Sequence, residues 1–136
     1  MYKIEVKKYG FKFTFGGFIK EFEMQEYYEK AEKTLKESGL TAYCVMVDNR
    51  NLKPLPPESK AIIDKAQRLF KQGGLVRSVL LLNNPVTTLQ FKRIAKETGV
   101  YEYERFIDAS QYANYEEVAE AWLTDAIDPD KGQEAA

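Results

Sequence analysis

Two short runs, one uninterruptedly apolar and one apolar but for Arg77 and Ser78 near its start, constrain this chain most. Tyr43-Cys44-Val45-Met46-Val47 and the stretch from Val76 to Leu82 each follow a segment of helical periodicity. A strand with water on one face alternates apolar and polar residues, whereas a strand covered on both faces need not. Placed after helices, these runs read as interior parallel strands reached by crossover connections.

The helical segments supply the cover. From about Lys20 to Ser38, the residues Met24, Tyr27, Tyr28, Ala31 and Leu35 fall on one helical face. Glutamates crowd the first half of this segment and lysines the second, which suits the helix dipole, and Gly39 supplies a stop. A second helix opens at Pro57, where the missing N–H costs nothing, and runs to about Gln72 before Gly73-Gly74. Its apolar side holds Ile62, Ile63, Ala66, Leu69 and Phe70. A third helix, about 85–98, begins with Asn84 as cap and Pro85 at the first position, turns Phe91, Ile94 and Ala95 inward, and ends at Gly99. A last helix, capped by Asn114, carries Tyr115, Val118, Ala119, Trp122 and Leu123 on one stripe.

At the N-terminus, Ile4 and Val6 alternate with charged residues, and Phe11, Phe13 and Phe15 alternate with Lys12 and Thr14. With Gly10 between them these runs make a β-hairpin, ended by Gly16-Gly17. Asp48 to Pro57 reads as a polar, proline-rich loop, and Glu104 to Ile107 as a short strand. The order is β-β-α-β-α-β-α-β-α. That order specifies an α/β fold with packed helices and a mixed β-sheet, since the hairpin forces one antiparallel pair. The expected organisation is a single domain over residues 1–127 and a flexible C-terminal tail over residues 128–136.

Composition narrows the function classes. The chain has 136 residues, 44% hydrophobic and 30% charged, enough to bury a core. It has no histidine, which removes His-based triads, His acid–base chemistry and imidazole metal sites. Its one cysteine, Cys44, lies inside an apolar run and reads as structural. There is no signal-peptide pattern and no apolar run long enough to span a bilayer, so a cytoplasmic location is expected. The net charge of −1 hides a gradient: residues 1–52 sum to +1, residues 53–105 to +5 and residues 106–136 to −7. Lys92-Arg93 and Lys96 stand without an aromatic platform interleaved among them, and no nucleic-acid binding is expected. Glu116, Glu117 and Glu120 read as a solvated face. No paired-carboxylate, phosphate-loop or metal-ligand spacing occurs, so no catalytic residue, metal or cofactor is assigned.

Gly16-Gly17-Phe18-Ile19 leading into the first helix, Val45 to Leu52 with its Asp48, and Phe91 to Val100 followed by Arg105-Phe106 form a set of three segments. Together they resemble the STAS domain fold, and specifically the SpoIIAA-like family of small stand-alone bacterial proteins. The resemblance covers residues 2–125 and implies a non-enzymatic regulatory module of the anti-sigma-factor-antagonist kind. In that family a phosphorylated serine at the start of the switch helix decides partner binding, because about two negative charges at a helix N-terminus alter order and docking. Here the switch-serine column falls on Glu58, and Ser59 stands one residue later. Glu58 and Ser59 read as helix-capping groups, a fixed acidic mimic, or a shifted phosphorylation site.

Two roles follow. A regulatory protein partner would contact Arg50, Lys53, Leu55, Glu58 and Ser59, with Leu55 a rigid apolar knob between prolines. Alternatively, a small apolar ligand, a lipid or a membrane surface would use Phe18 and Phe22. The carboxyl edge of the sheet gathers Asp48, Asn49, Asn84 and Thr87 as ligand-binding candidates, with helix N-termini and Arg50 offering an anion site. A homo-oligomer is compatible with either role.

Overall fold

A computed structural model describes residues 1–134 of the chain. Five strands form one mixed sheet in the order β1-β2-β3-β4-β5. They are β1 (Tyr2–Lys7), β2 (Gly10–Gly17), β3 (Tyr43–Leu52), β4 (Leu75–Leu82) and β5 (Glu104–Asp108). The opening hairpin is antiparallel, and the β2–β3, β3–β4 and β4–β5 pairs are parallel. The crossovers carry α1 (Glu21–Ser38), α2 (Pro57–Gly73) and α3 (Pro85–Thr98). After β5 come α4 (Tyr115–Asp125) and the short α5 (Pro129–Glu134). The α/β class and the mixed sheet are as the sequence specifies.

Each strand advances one place across the sheet. Crossovers of one hand then set α1, α2 and α3 on the same face. That face holds the larger core, where Phe11, Phe13, Phe15, Val45 and Leu80 meet Tyr27, Ile63, Phe70 and Phe91. Its aromatic rings pack edge to face, with Phe15 and Tyr27 at 4.7 Å and Phe13 and Phe70 at 5.2 Å between centroids. The opposite face of β3 and β4 presents Cys44, Met46, Val79 and Leu81, and α4 returns to cover them with Ala119, Trp122 and Leu123. The Trp122 indole N–H donates to the Ser78 carbonyl at 2.9 Å, fixing α4 on the sheet.

Local signals set most boundaries. The Asn84 side chain accepts from the Val86 and Thr87 N–H groups, and Pro85 follows it. Pro57 opens α2, and Gly39 and Gly99 close α1 and α3 in left-handed conformations. Asn114 occupies the N-cap position of α4, but its side chain makes no capping bond, contrary to expectation.

Two other expectations change. The segment Asp48–Leu52 is not loop: it extends β3 along the end of β2, and its first residue, Asp48, also pairs with β4. The backbone of a central strand can find partners on both sides, and that outweighs the loop-like composition. A bulge results, with Asn49 and Arg50 standing opposite Phe15 between the Thr14–Asp48 and Gly16–Asn51 pairs. The tail from Asp128 is also ordered over its described part. Arg105 donates to both Asp128 carboxylate oxygens at 2.9 Å, and α5 begins at the next residue. Residues 135 and 136 of the expected tail lie outside the described residues.

Two glycines permit the close approach of the loops to β3. Gly10 has φ 141° and Gly74 φ 120°; a Cβ would lie 2.2 Å from the Cys44 carbonyl oxygen at the first and 1.9 Å from that of Thr41 at the second. Both obstacles are backbone atoms that cannot rotate aside. Gly74→Ala is expected to destabilise the fold by about 2–4 kcal/mol in urea unfolding, against a fraction of that for Gly17→Ala, whose φ is also positive but whose surroundings are open.

Candidate functional site

The carboxyl edge of the sheet, where β2, β3 and β4 end and α1, α2 and α3 begin, is closed. Ligand crevices in open α/β sheets lie where the strand order reverses, and a sheet ordered one to five has no reversal. The segment after β3 instead lies across the edge. The Lys53 N–H donates to the Gly17 carbonyl at 3.1 Å. The Gln90 side chain accepts from the Leu55 N–H at 2.8 Å and donates to its carbonyl at 3.0 Å. The Thr87 hydroxyl donates to the Leu52 carbonyl at 3.4 Å.

This closure corrects several assignments. Leu55 is buried in the main core, where it cannot serve as a protruding knob. Ser59 is fully buried and donates to the Ile19 carbonyl at 2.7 Å, so its hydroxyl is structural and sealed from a modifying enzyme. Asn84 and Thr87 are likewise spent on capping and on the edge, and the first N–H donors of α3 are already bonded to Asn84. The start of α3 is therefore occupied by the chain's own cap. Lys53 and Glu58 remain exposed, as do Phe18 and Phe22.

Asp48 and Arg50 point to the α4 side, away from that edge. The Arg50 guanidinium donates twice to the Asp48 carboxylate, at 2.9 and 2.8 Å, and also to the Tyr115 hydroxyl, with its charge 4.6 Å from the Tyr115 ring. Burial alone would raise the Asp48 carboxyl, but hydrogen bonds and charge from Arg50 hold it below the usual carboxylate range. The pair fastens the end of β3 to the first turn of α4. Asn49 faces the other way, only 1% exposed, and its amide finds no partner among the described residues.

A second polar group sits deeper. Glu104 begins β5 beside Ser78 of β4, and the Ser78 hydroxyl lies 2.6 Å from its Oε2. Its Oε1 has no hydrogen-bond partner among the described residues. Both side chains border a cavity of about 50 Å³ under α2, walled by Phe70, Leu80 and Phe91 with Gln67. Burial pushes the Glu104 carboxyl up from 4.5 to about 7, partly offset by the Ser78 hydrogen bond. The sequence carried one signal for this: Glu104 shares strand parity with Phe106, placing a carboxyl on the helix-covered face. Among the described residues there is no cluster of three or more His, Cys, Asp or Glu side chains arranged to hold a metal. No described helix is long and apolar enough to cross a membrane. No protein-family model, curated protein or solved structure matches the chain.

Two predictions test this geometry. The folded protein binds the Glu104 proton more tightly than the unfolded chain does. The associated stability is fully present below about pH 4.5, falls as pH rises, and is gone above about pH 7, a loss of about 3 kcal/mol. Denaturant midpoints compared between pH 5 and pH 8 will show this slope relative to Glu104→Gln, which removes it. At the start of α2, Ser59→Glu is expected to cost roughly 3 kcal/mol or more in urea unfolding, since it forces a charge into a sealed site, whereas Ser59→Ala costs about 1 kcal/mol.

Proposed function

We propose that this chain is a non-enzymatic regulatory module of STAS-like architecture, which docks a protein partner through the surface formed by the start of α1 and the segment 53–58. The observation that carries the reading is the exposure of two aromatic side chains there, Phe18 at 55% and Phe22 at 83%. Large aromatic groups so exposed are common anchors of protein interfaces. The bonds from Lys53 to Gly17 and from Ser59 to Ile19 bring the segment 53–58 against this corner, so Phe18, Lys53 and Glu58 belong to one surface. The strand order and the opening hairpin accord with the STAS-like reading. Glu58, exposed in the first turn of α2, carries a permanent negative charge in the column of the family's switch serine. Partner choice here does not depend on a phosphate at Ser59.

A membrane surface would use the same aromatic pair. The charges favour a protein instead: Glu21 and Glu58 stand among Lys20 and Lys53, a mixed polar rim that an anionic lipid surface would not select.

The test begins with capture of partners from the native host by the immobilised chain, followed by binding measurements with the purified partner. Phe22→Ser and Phe18→Ser are each expected to weaken binding about tenfold or more. Val6→Ser, at an exposed apolar position on the edge strand β1, leaves it unchanged. Equal binding by all three variants overturns the reading, as does flotation with anionic vesicles that is lost in the phenylalanine variants.

A further inference from the structure

The outer side of α3 faces β5 across a groove. One depression of about 400 Å³ is walled by Leu82, Thr88, Leu89, Lys92 and Phe106 among others, and a smaller one of about 110 Å³ lies towards Tyr101 and Arg105. Lys92 and Phe106 border both, so they form the divide of a single trough. The larger part falls within the usual size range of small-molecule sites.

The trough has an aromatic floor that the sequence does not reveal locally. Tyr101 and Phe106 lie 6.0 Å apart between centroids and 34° from parallel. Lys96 stands 4.9 Å from the Tyr101 ring and Lys92 5.6 Å from the Phe106 ring. Neither lysine has a carboxylate within 4.0 Å among the described residues. The acids at the two ends are engaged: Asp108 accepts from the N–H and hydroxyl of Ser110, and Asp130 lies 3.8 Å from Arg105. Asp108 bonds only neutral donors and keeps its charge, so the trough is positive at its centre, above two rings, and acidic at its Asp108 end.

We propose that this trough binds a small aromatic carboxylate, its ring laid against Phe106 and Leu89 and its anionic group held by Lys92, with Lys96 adding charge from beyond the divide. A flat ring buries apolar surface that now faces water, since Leu89 is 64% exposed. The carboxylate supplies the counter-charge that both lysines lack. Asp108, which has no cation partner among the described residues, repels a longer polyanion at its end, and this favours a ligand with one compact anionic group. This site lies apart from the Phe18 and Phe22 surface and stands independently of it.

The test uses indole-3-acetate as probe, followed by NMR of the backbone amides and leucine methyls of the full chain. Saturable shifts at Leu82, Leu89 and Phe106 are expected, with a dissociation constant on the order of 1 mM or tighter. Raising the salt concentration weakens the binding. The neutral isostere indole-3-acetamide is expected to bind at least tenfold more weakly, as is indole-3-acetate to Lys92→Glu, a variant whose spectrum shows an unchanged fold away from α3. Leu89→Asp, at an exposed position, gives a second loss without touching Lys92. The absence of saturable shifts in the unaltered chain overturns the proposal. So does equal binding of the acetamide, or undiminished binding by both variants.

Discussion

The burial of β3 and β4 on both faces is the constraint from which the rest of the molecule follows. Leu80 and Leu82 enter one core while Val79 and Leu81 enter the other, and the same division runs along β3 through Val45 and Met46. Three crossover helices can cover only one face when the strands step in a single direction. The chain must therefore return after β5 to shield the second face, and α4 does so with Ala119, Trp122 and Leu123. That one helix leaves the hairpin half of the face to water. Lys3, Glu5 and Lys7 occupy alternate positions there on β1, while Lys12 of β2, at the border, reaches Glu116 of α4 at 3.8 Å.

Single winding also decides where function can lie. A sheet whose order reverses opens a crevice at its carboxyl edge; this one brings Leu55, Ser59 and Thr87 together there as packing and hydrogen-bonding groups. The exposed aromatic corner at Phe18 and Phe22 lies on one side of the closed edge, and the lysine-flanked trough beside α3 on the other.

The architecture was legible because it rests on local periodicity and on caps. The apolar stripes of α1 to α4, the Asn84-Pro85 start of α3 and the glycine stops depend on neighbours in sequence, and they appear where the patterns put them. What escaped depends on partners distant in sequence. Asp48–Leu52 has a loop's composition, yet the end of β2, distant in sequence, draws it into the sheet. Leu55 between prolines resembles a knob until Gln90, 35 residues away, bonds both its backbone groups. The aromatic floor under Lys92 and Lys96 arises from Tyr101 and Phe106, which lie in separate elements after the helix turn. Of the candidate site, the residue types at the edge were readable but not their directions: Asp48 and Arg50 serve α4, and Asn49 the opposite face.

The two crowded glycines imply a rule of inheritance. Gly10 and Gly74 sit where the backbone carbonyls of Cys44 and Thr41, in β3 and just before it, occupy the space of a side chain, and both hold strongly positive φ. A core can exchange leucine for isoleucine with little penalty, and a surface can change almost freely. These two positions admit no such drift while β3 keeps its place in the sheet. A distant relative that has lost every other recognisable residue should still carry glycine at the first position of its second strand and just before its fourth, spaced by two strands and two crossover helices. That sparse signature, rather than overall similarity, is the trace by which this architecture can be followed through divergent sequences.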